Sequence, residues 1–151
     1  AEFKDPVVPD EPAKGLIYRL FIGEFSTAIN LPGIADTSGV LDIFRIPAGA
    51  PLTLFGLELS GLINIQTDGI YTFFCTSDDG LMLYIDDELI VNGDIYHHGV
   101  VNEGSAALKA GMHEIKATFF QQLYRQGLNV SYEGPGVERK TIPEGVLFHH
   151  P

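Results

Sequence analysis

The chain has 151 residues, 45% of them hydrophobic, and sets 20 acidic against 9 basic side chains for a formal charge of -11. That length suits one domain able to bury about two thirds of its unfolded surface, and that charge repels phosphate backbones, so nucleic acid is excluded as an expected partner. No apolar run approaches the roughly 20 residues of a membrane span, and membrane insertion is not expected.

The 17 Gly and 9 Pro supply the many turns that strand-rich folds need. The single cysteine, Cys75, lies inside an apolar run and reads as a small buried hydrophobe with no disulfide partner. Residues 1–14 carry Pro6, Pro9 and Pro12 with interspersed charge, the composition of an extended linker, and the domain is expected over 15–151. The proline spacing also fits a polyproline ligand, as it fits any stiff spacer. The N-terminus lacks the basic-then-apolar pattern of a signal peptide, so an export signal is expected elsewhere in the gene.

From Leu16 onward the apolar residues alternate with period two, which places them on one face of a strand. Strands are predicted over Leu16–Ile22, Leu41–Arg45 and Leu52–Ile65, the last bent or broken at Gly56 or Gly61. Ile70–Thr76 has aromatic and β-branched side chains on both faces, as a covered central strand does. Leu81–Ile85 and Leu89–Asn92 form a predicted hairpin turning at Asp86-Asp87. A polar loop spans 93–102, a short strand Ser105–Leu108, and a strand His113–Phe120 in which Ile115, Ala117 and Phe119 alternate with polar residues. Leu128, Val130 and Tyr132 form the last clear alternating set. With no amphipathic helix, this pattern predicts an all-β, antiparallel sandwich or barrel, with Tyr71, Phe73, Leu83, Ile85, Ile115, Phe119 and Val130 in its core.

Three segments carry a family likeness: DGIYTFFCTSDDGLMLYIDDELIV, then LKAGMHEIKATFFQ, then LNVSYEGPG, followed by Ile142-Pro143 and Val146-Leu147. The stretch from Gly69 to Gly136 resembles the PA14 domain, and Gly15–Tyr18 fits the first strand of that family, while residues 23–60 match weakly. The resemblance implies a β-sandwich module of extracellular glycosidases, adhesins and toxins, several members of which bind sugars. In the yeast adhesin branch, paired aspartates joined by a cis peptide hold a calcium that coordinates sugar hydroxyls. The matching residues are Asp78 and Asp79.

Two neighbouring aspartates on a regular strand point to opposite faces, so a cis bond or a tight turn is needed to converge them on one hard cation. Calcium takes about six to eight oxygens, and two aspartates are an incomplete site. The calcium-dependent relatives draw a further side-chain ligand from the loop matching residues 122–127, which here holds no Asp or Asn. The alternative is that Asp78 or Asp79 accepts backbone hydrogen bonds in a turn completed by Gly80.

The loop around Asp94, Tyr96, His97 and His98 has no zinc spacing, since HExxH geometry and a cysteine motif are both missing. His98 reads as a bracing hydrogen bonder, with Tyr96 and His97 as candidate ligand contacts. Tyr124, Arg125 and Gln126 bring an aromatic, a fork donor and an amide to one exposed loop, which suits sugar hydroxyls as well as an ordinary hairpin tip. Adjacent aspartates are poorly placed to flank a glycosidic bond, and no nucleophile elbow or phosphate loop is present, so no catalytic activity is expected.

The expected function is therefore a non-catalytic carbohydrate-binding module of a multidomain protein that works outside the cytoplasm: extracellular, periplasmic or on the cell surface. The expected partners are a glycan and neighbouring domains, with recognition either calcium-assisted or metal-free. The rival is a protein-interaction or spacer module that supports a neighbouring glycoside hydrolase or adhesin domain and binds no sugar.

Overall fold

A computed structural model describes residues 2–26, 28, 31–93, 101–122 and 127–151. Twelve strands are present among them: β1 (Ala13–Lys14), β2 (Leu16–Ile22), β3 (Thr37–Leu41), β4 (Phe55–Ile65), β5 (Gly69–Asp78), β6 (Gly80–Ile85), β7 (Glu88–Gly93), β8 (Val101–Leu108), β9 (Gly111–Gln121), β10 (Gly127–Gly134), β11 (Val137–Thr141) and β12 (Leu147–His149). One 3-10 turn, Glu144–Val146, is the only helical element among the described residues.

The strands form two antiparallel sheets. The smaller runs β11-β10-β5-β8, and the larger runs β1-β12-β4-β9-β6-β7 with β2 and β3 added beside β4. The alternation in the sequence explains which side of each strand faces in. Tyr71, Phe73, Cys75, Val130 and Tyr132 from the small sheet meet Leu57, Leu59, Leu83, Ile85, Ile115 and Phe119 from the large one, all buried. Phe55 and Phe119 pack with ring centroids 5.9 Å apart, and Tyr71 stacks on Tyr132 at 6.3 Å. The seven core residues expected from periodicity are all buried, and the fold is the antiparallel β-sandwich that the sequence implies.

Some elements differ from the periodicity reading. β4 is one continuous strand across Gly56 and Gly61. Those glycines leave room for overlying chain instead of breaking the strand: a Cβ on Gly61 would stand 2.2 Å from the Phe148 carbonyl oxygen, and one on Gly56 would stand 2.6 Å from the Leu31 side chain. The third strand lies at Thr37–Leu41 and not at Leu41–Arg45. Asp42 accounts for the end of pairing, because its carboxylate takes the Ile43 N–H at 2.8 Å and the Arg45 side chain at 2.9 Å, replacing ladder bonds with local ones. The short charged strand β11 carries no alternation that would reveal it.

Residues 2–14 are extended and fastened along one end of the sandwich. Lys4 exchanges backbone hydrogen bonds with Ala107 and Lys109, and the Val7 N–H donates to Met112. Lys109 pairs with Asp5 at 2.7 Å. Pro6 sits over Gly111, where a Cβ would approach within 2.6 Å at φ +127. Backbone bonding of this kind leaves no side-chain period in the sequence.

Candidate functional site

The hairpin end and the crossing between sheets position the site. β5 belongs to the small sheet and β6 to the large one, and the chain changes sheet at Asp78-Asp79, which are joined by a cis peptide bond. Gly80 then opens β6 directly opposite Phe120 of β9.

Asp79 is buried, with 3% of its surface exposed. Its Oδ2 accepts the Gln122 N–H at 2.7 Å, and its own N–H donates to the Phe120 carbonyl at 3.1 Å. The Ser77 hydroxyl reaches its carbonyl at 3.4 Å. Asp78 is partly exposed and pairs in register with Gly127 at the start of β10. Asp79 therefore holds one stem of the 122–127 loop and Asp78 faces the other.

The second expected loop is anchored at the same end. Gly93, the last residue of β7, pairs with Leu81, and Val101, the first residue of β8, pairs with Thr76. Four loop stems thus reach the sheets within three residues of the aspartate pair. The side chains of Tyr96, His97, His98, Tyr124, Arg125 and Gln126 lie outside the described residues; their stems share this one corner.

A third segment was not signalled by the sequence. The Gln122 side chain donates to the Phe25 carbonyl at 2.8 Å, tying the connection between β2 and β3 to the same corner. Phe25 and Ala28 pack on Met82 and Phe120 on the outer face of the large sheet. Phe25 and Leu31, large apolar residues in the connection, were the available hint.

The donor set is two carboxylates, and hard oxygens of this kind suit calcium better than a softer metal. Among the described residues no group of three or more His, Cys, Asp or Glu is placed to hold a metal ion. Any remaining ligands would have to come from beyond the described side chains: the two loops, backbone carbonyls, water or a bound molecule.

The sequence profile of the PA14 domain matches residues 36–145. The chain belongs to the PA14 domain family. No curated protein matches it. Among solved structures, an anti-sigma factor domain-containing protein from Clostridium clariflavum is 25% identical, with a TM-score of 0.71, over 99% of this chain and 53% of that one. This PA14 domain thus spans about half the length of that relative. A PA14 sugar-binding domain from an RTX adhesin is 15% identical, with a TM-score of 0.69, over 91% of this chain and 99% of that one. The subtype-switched Epithelial Adhesin 9 to 1 A domain from Candida glabrata, solved with beta-lactose, is 15% identical, with a TM-score of 0.70, over 98% and 93%. At such identities the two adhesin domains share the fold with this chain.

Proposed function

We propose that this PA14 domain is a non-catalytic carbohydrate-binding module whose site is the corner at Asp78 and Asp79. The observation that carries the reading is the convergence of loop stems: Gln122 and Gly127, Gly93 and Val101, all anchored beside the pair. Such a corner combines the partly exposed Asp78 carboxylate, an acceptor, with two loops whose sequences carry hydroxyl, amide and guanidinium donors. A sugar, whose hydroxyls each need a donor and an acceptor, is matched by that division of labour.

Asp78 and Asp79 are the residues that would hold calcium, and a calcium there would contribute direct coordination of vicinal hydroxyls. Tyr96, His97, Tyr124, Arg125 and Gln126, in the two loops whose stems meet there, are the proposed ligand contacts, with His98 proposed to brace its loop. Adjacent aspartates on one side of a ligand do not flank a glycosidic bond, which supports binding without hydrolysis. Sugar-binding adhesin domains among the similar structures support the glycan class and a place outside the cytoplasm. The partial coverage of the clostridial relative supports a multidomain parent.

A glycan array tests the reading, run with calcium and with chelator on folded protein. Binding that is lost in the Asp78→Ala/Asp79→Ala variant is the expected result, and loss in chelator would assign calcium to the pair. Silence across the array in both conditions would favour a spacer or protein-interaction role.

A further inference from the structure

We infer that Gln122 is the positioning residue of the aspartate corner: its side-chain amide holds the β2–β3 connection in place beside Asp79, and that placement sets which sugars the corner accepts. The inference rests on the carbohydrate-binding reading of the corner. Three polar groups of Gln122 serve three segments. Its N–H donates to Asp79 Oδ2 at 2.7 Å, its carbonyl accepts the Leu54 N–H at 3.0 Å, and its Nε2 donates to the Phe25 carbonyl at 2.8 Å. Any residue except proline could make the first two, but the third needs a side chain of this length ending in a donor.

The chain on either side is built to meet that amide. Leu54 is held at φ 58, a conformation unfavourable for leucine, where its N–H reaches Gln122 and its carbonyl accepts the Gly23 N–H at 2.9 Å. Gln122, Leu54, Gly23 and Phe25 thus close a ring of hydrogen bonds, in which the Gln122 amide is the side-chain link. Phe25 itself packs on Met82 and Phe120, in space that Gly56 leaves open: a Cβ there would stand 3.2 Å from the Phe25 ring.

The ring reaches the site through the stems of the 122–127 loop. Gln122 opens that loop, and Gly127, in register with Asp78, closes it. With four residues between these stems, moving one of them moves the loop. A site whose supports are already in place gives up less freedom when ligand binds, so it binds more tightly and tolerates fewer shapes. Without the amide the β2–β3 connection and the loop can part, and the corner loses that selectivity.

Gln122→Met tests this, because it keeps the length and both main-chain bonds and removes the donor. Hydrogen exchange, which needs no sugar, should quicken about tenfold at the Leu54 and Gly23 amides while Phe119 in the core stays protected. Against the strongest binder found on a glycan array, titration calorimetry should show an affinity about tenfold lower, and the rank order of sugars on the array should change. Asp86→Ala is the comparison for a purely structural loss, since Asp86 lies six residues beyond Gly80, roughly 20 Å at the usual strand rise. It should lower the melting midpoint and leave the affinity and rank order of the folded protein unaltered. If Gln122→Met does not fold, Gln122→Glu, which sets a carboxylate against the Phe25 carbonyl, is measured with the same expectations. Unaltered exchange at Leu54 and Gly23, or wild-type affinity and rank order in the folded variant, would overturn the inference and leave the carbohydrate site standing. A wild-type domain silent on the array would overturn that site, and the positioning role with it.

Discussion

Asp79 and Gln122 are joined by a 2.7 Å hydrogen bond, from the Gln122 N–H to Asp79 Oδ2, at the point where the chain passes from the small sheet to the large one. The carboxylate is buried and also belongs to the candidate ligand corner, so one side chain serves scaffold and site. Asp78, across from Gly127, is less buried and partly exposed.

This asymmetry separates the two aspartates experimentally. Asp79→Ala leaves the Gln122 N–H without that acceptor and is expected to lower stability by about 1–3 kcal/mol, the cost of stranding a buried polar group. Asp78→Ala should cost under about 1 kcal/mol, closer to a surface change. Both should lose sugar binding. Urea midpoints of the single variants measure the difference, and equal losses of stability would contradict the assignment of Asp79 as the structural member.

A second paired group holds the hairpin. Asp86 Oδ2 lies 2.7 Å from Nδ1 of the fully buried His113, while its Oδ1 accepts the Glu114 N–H at 3.0 Å. The other ring nitrogen of His113 lies 2.7 Å from the Lys109 carbonyl oxygen. Asp86→Ala removes one partner from a buried ring and one from a backbone donor, and a loss of about 1–3 kcal/mol is expected. Asp87, at φ 65, makes no comparable bond among the described residues, and Asp87→Gly is expected to be neutral or slightly stabilising because glycine adopts that conformation freely. Thermal midpoints of the two variants should therefore move in clearly different amounts.

How much of this was legible in the sequence follows from where each interaction is encoded. The β6–β7 hairpin was legible because turn chemistry is local: Asp86 and Asp87 take positive φ values of 50 and 65 between two apolar runs. β5 and β9 were legible from alternation, since one face of each is core. β11 was not, because Glu138, Arg139 and Lys140 sit on an exposed edge, with Arg139 over the Phe74 ring at 3.7 Å. The aspartate pair was legible as a motif. The burial of Asp79 was not, since it depends on a backbone donor 43 residues away. The fastening of residues 4–14 was equally hidden, because main-chain hydrogen bonds impose no residue type.

Cys75 offers a test of core integrity. Burial pushes its thiol up to about 12, and it lies 1% exposed between the sheets. At pH 8 a thiol titrating there is ionised in roughly one molecule in ten thousand, against about a quarter for an ordinary cysteine. Native protein should therefore resist a thiol-reactive dye over hours and react at once when unfolded in guanidinium. Rapid labelling of the native protein would show that β5 opens readily.

The seam between the sheets gives the most demanding test. Gly104 on β8 pairs with Phe73 in the small sheet, yet a Cβ on it would lie 1.9 Å from the Ile90 carbonyl oxygen of β7, in the large sheet. Backbone meets backbone there, and a carbonyl cannot move aside as the end of a flexible side chain can. Gly104→Ala must push β7 and β8 apart, an overpacking expected to cost about 1–3 kcal/mol. Gly49 provides the control, because a Cβ there meets nothing within 4 Å, and Gly49→Ala should leave stability unchanged or slightly raised. The effect should reach function as well as stability. Gly93 and Val101, which end β7 and begin β8, are the stems of the loop holding Tyr96 and His97. Spreading the seam displaces those stems, so Gly104→Ala is expected to weaken glycan binding at the aspartate corner even in the folded fraction, whereas Gly49→Ala is not. Calorimetry for the midpoint and a binding isotherm below it check the two consequences separately; an unaltered midpoint in Gly104→Ala would show that the sheets do not meet at this seam.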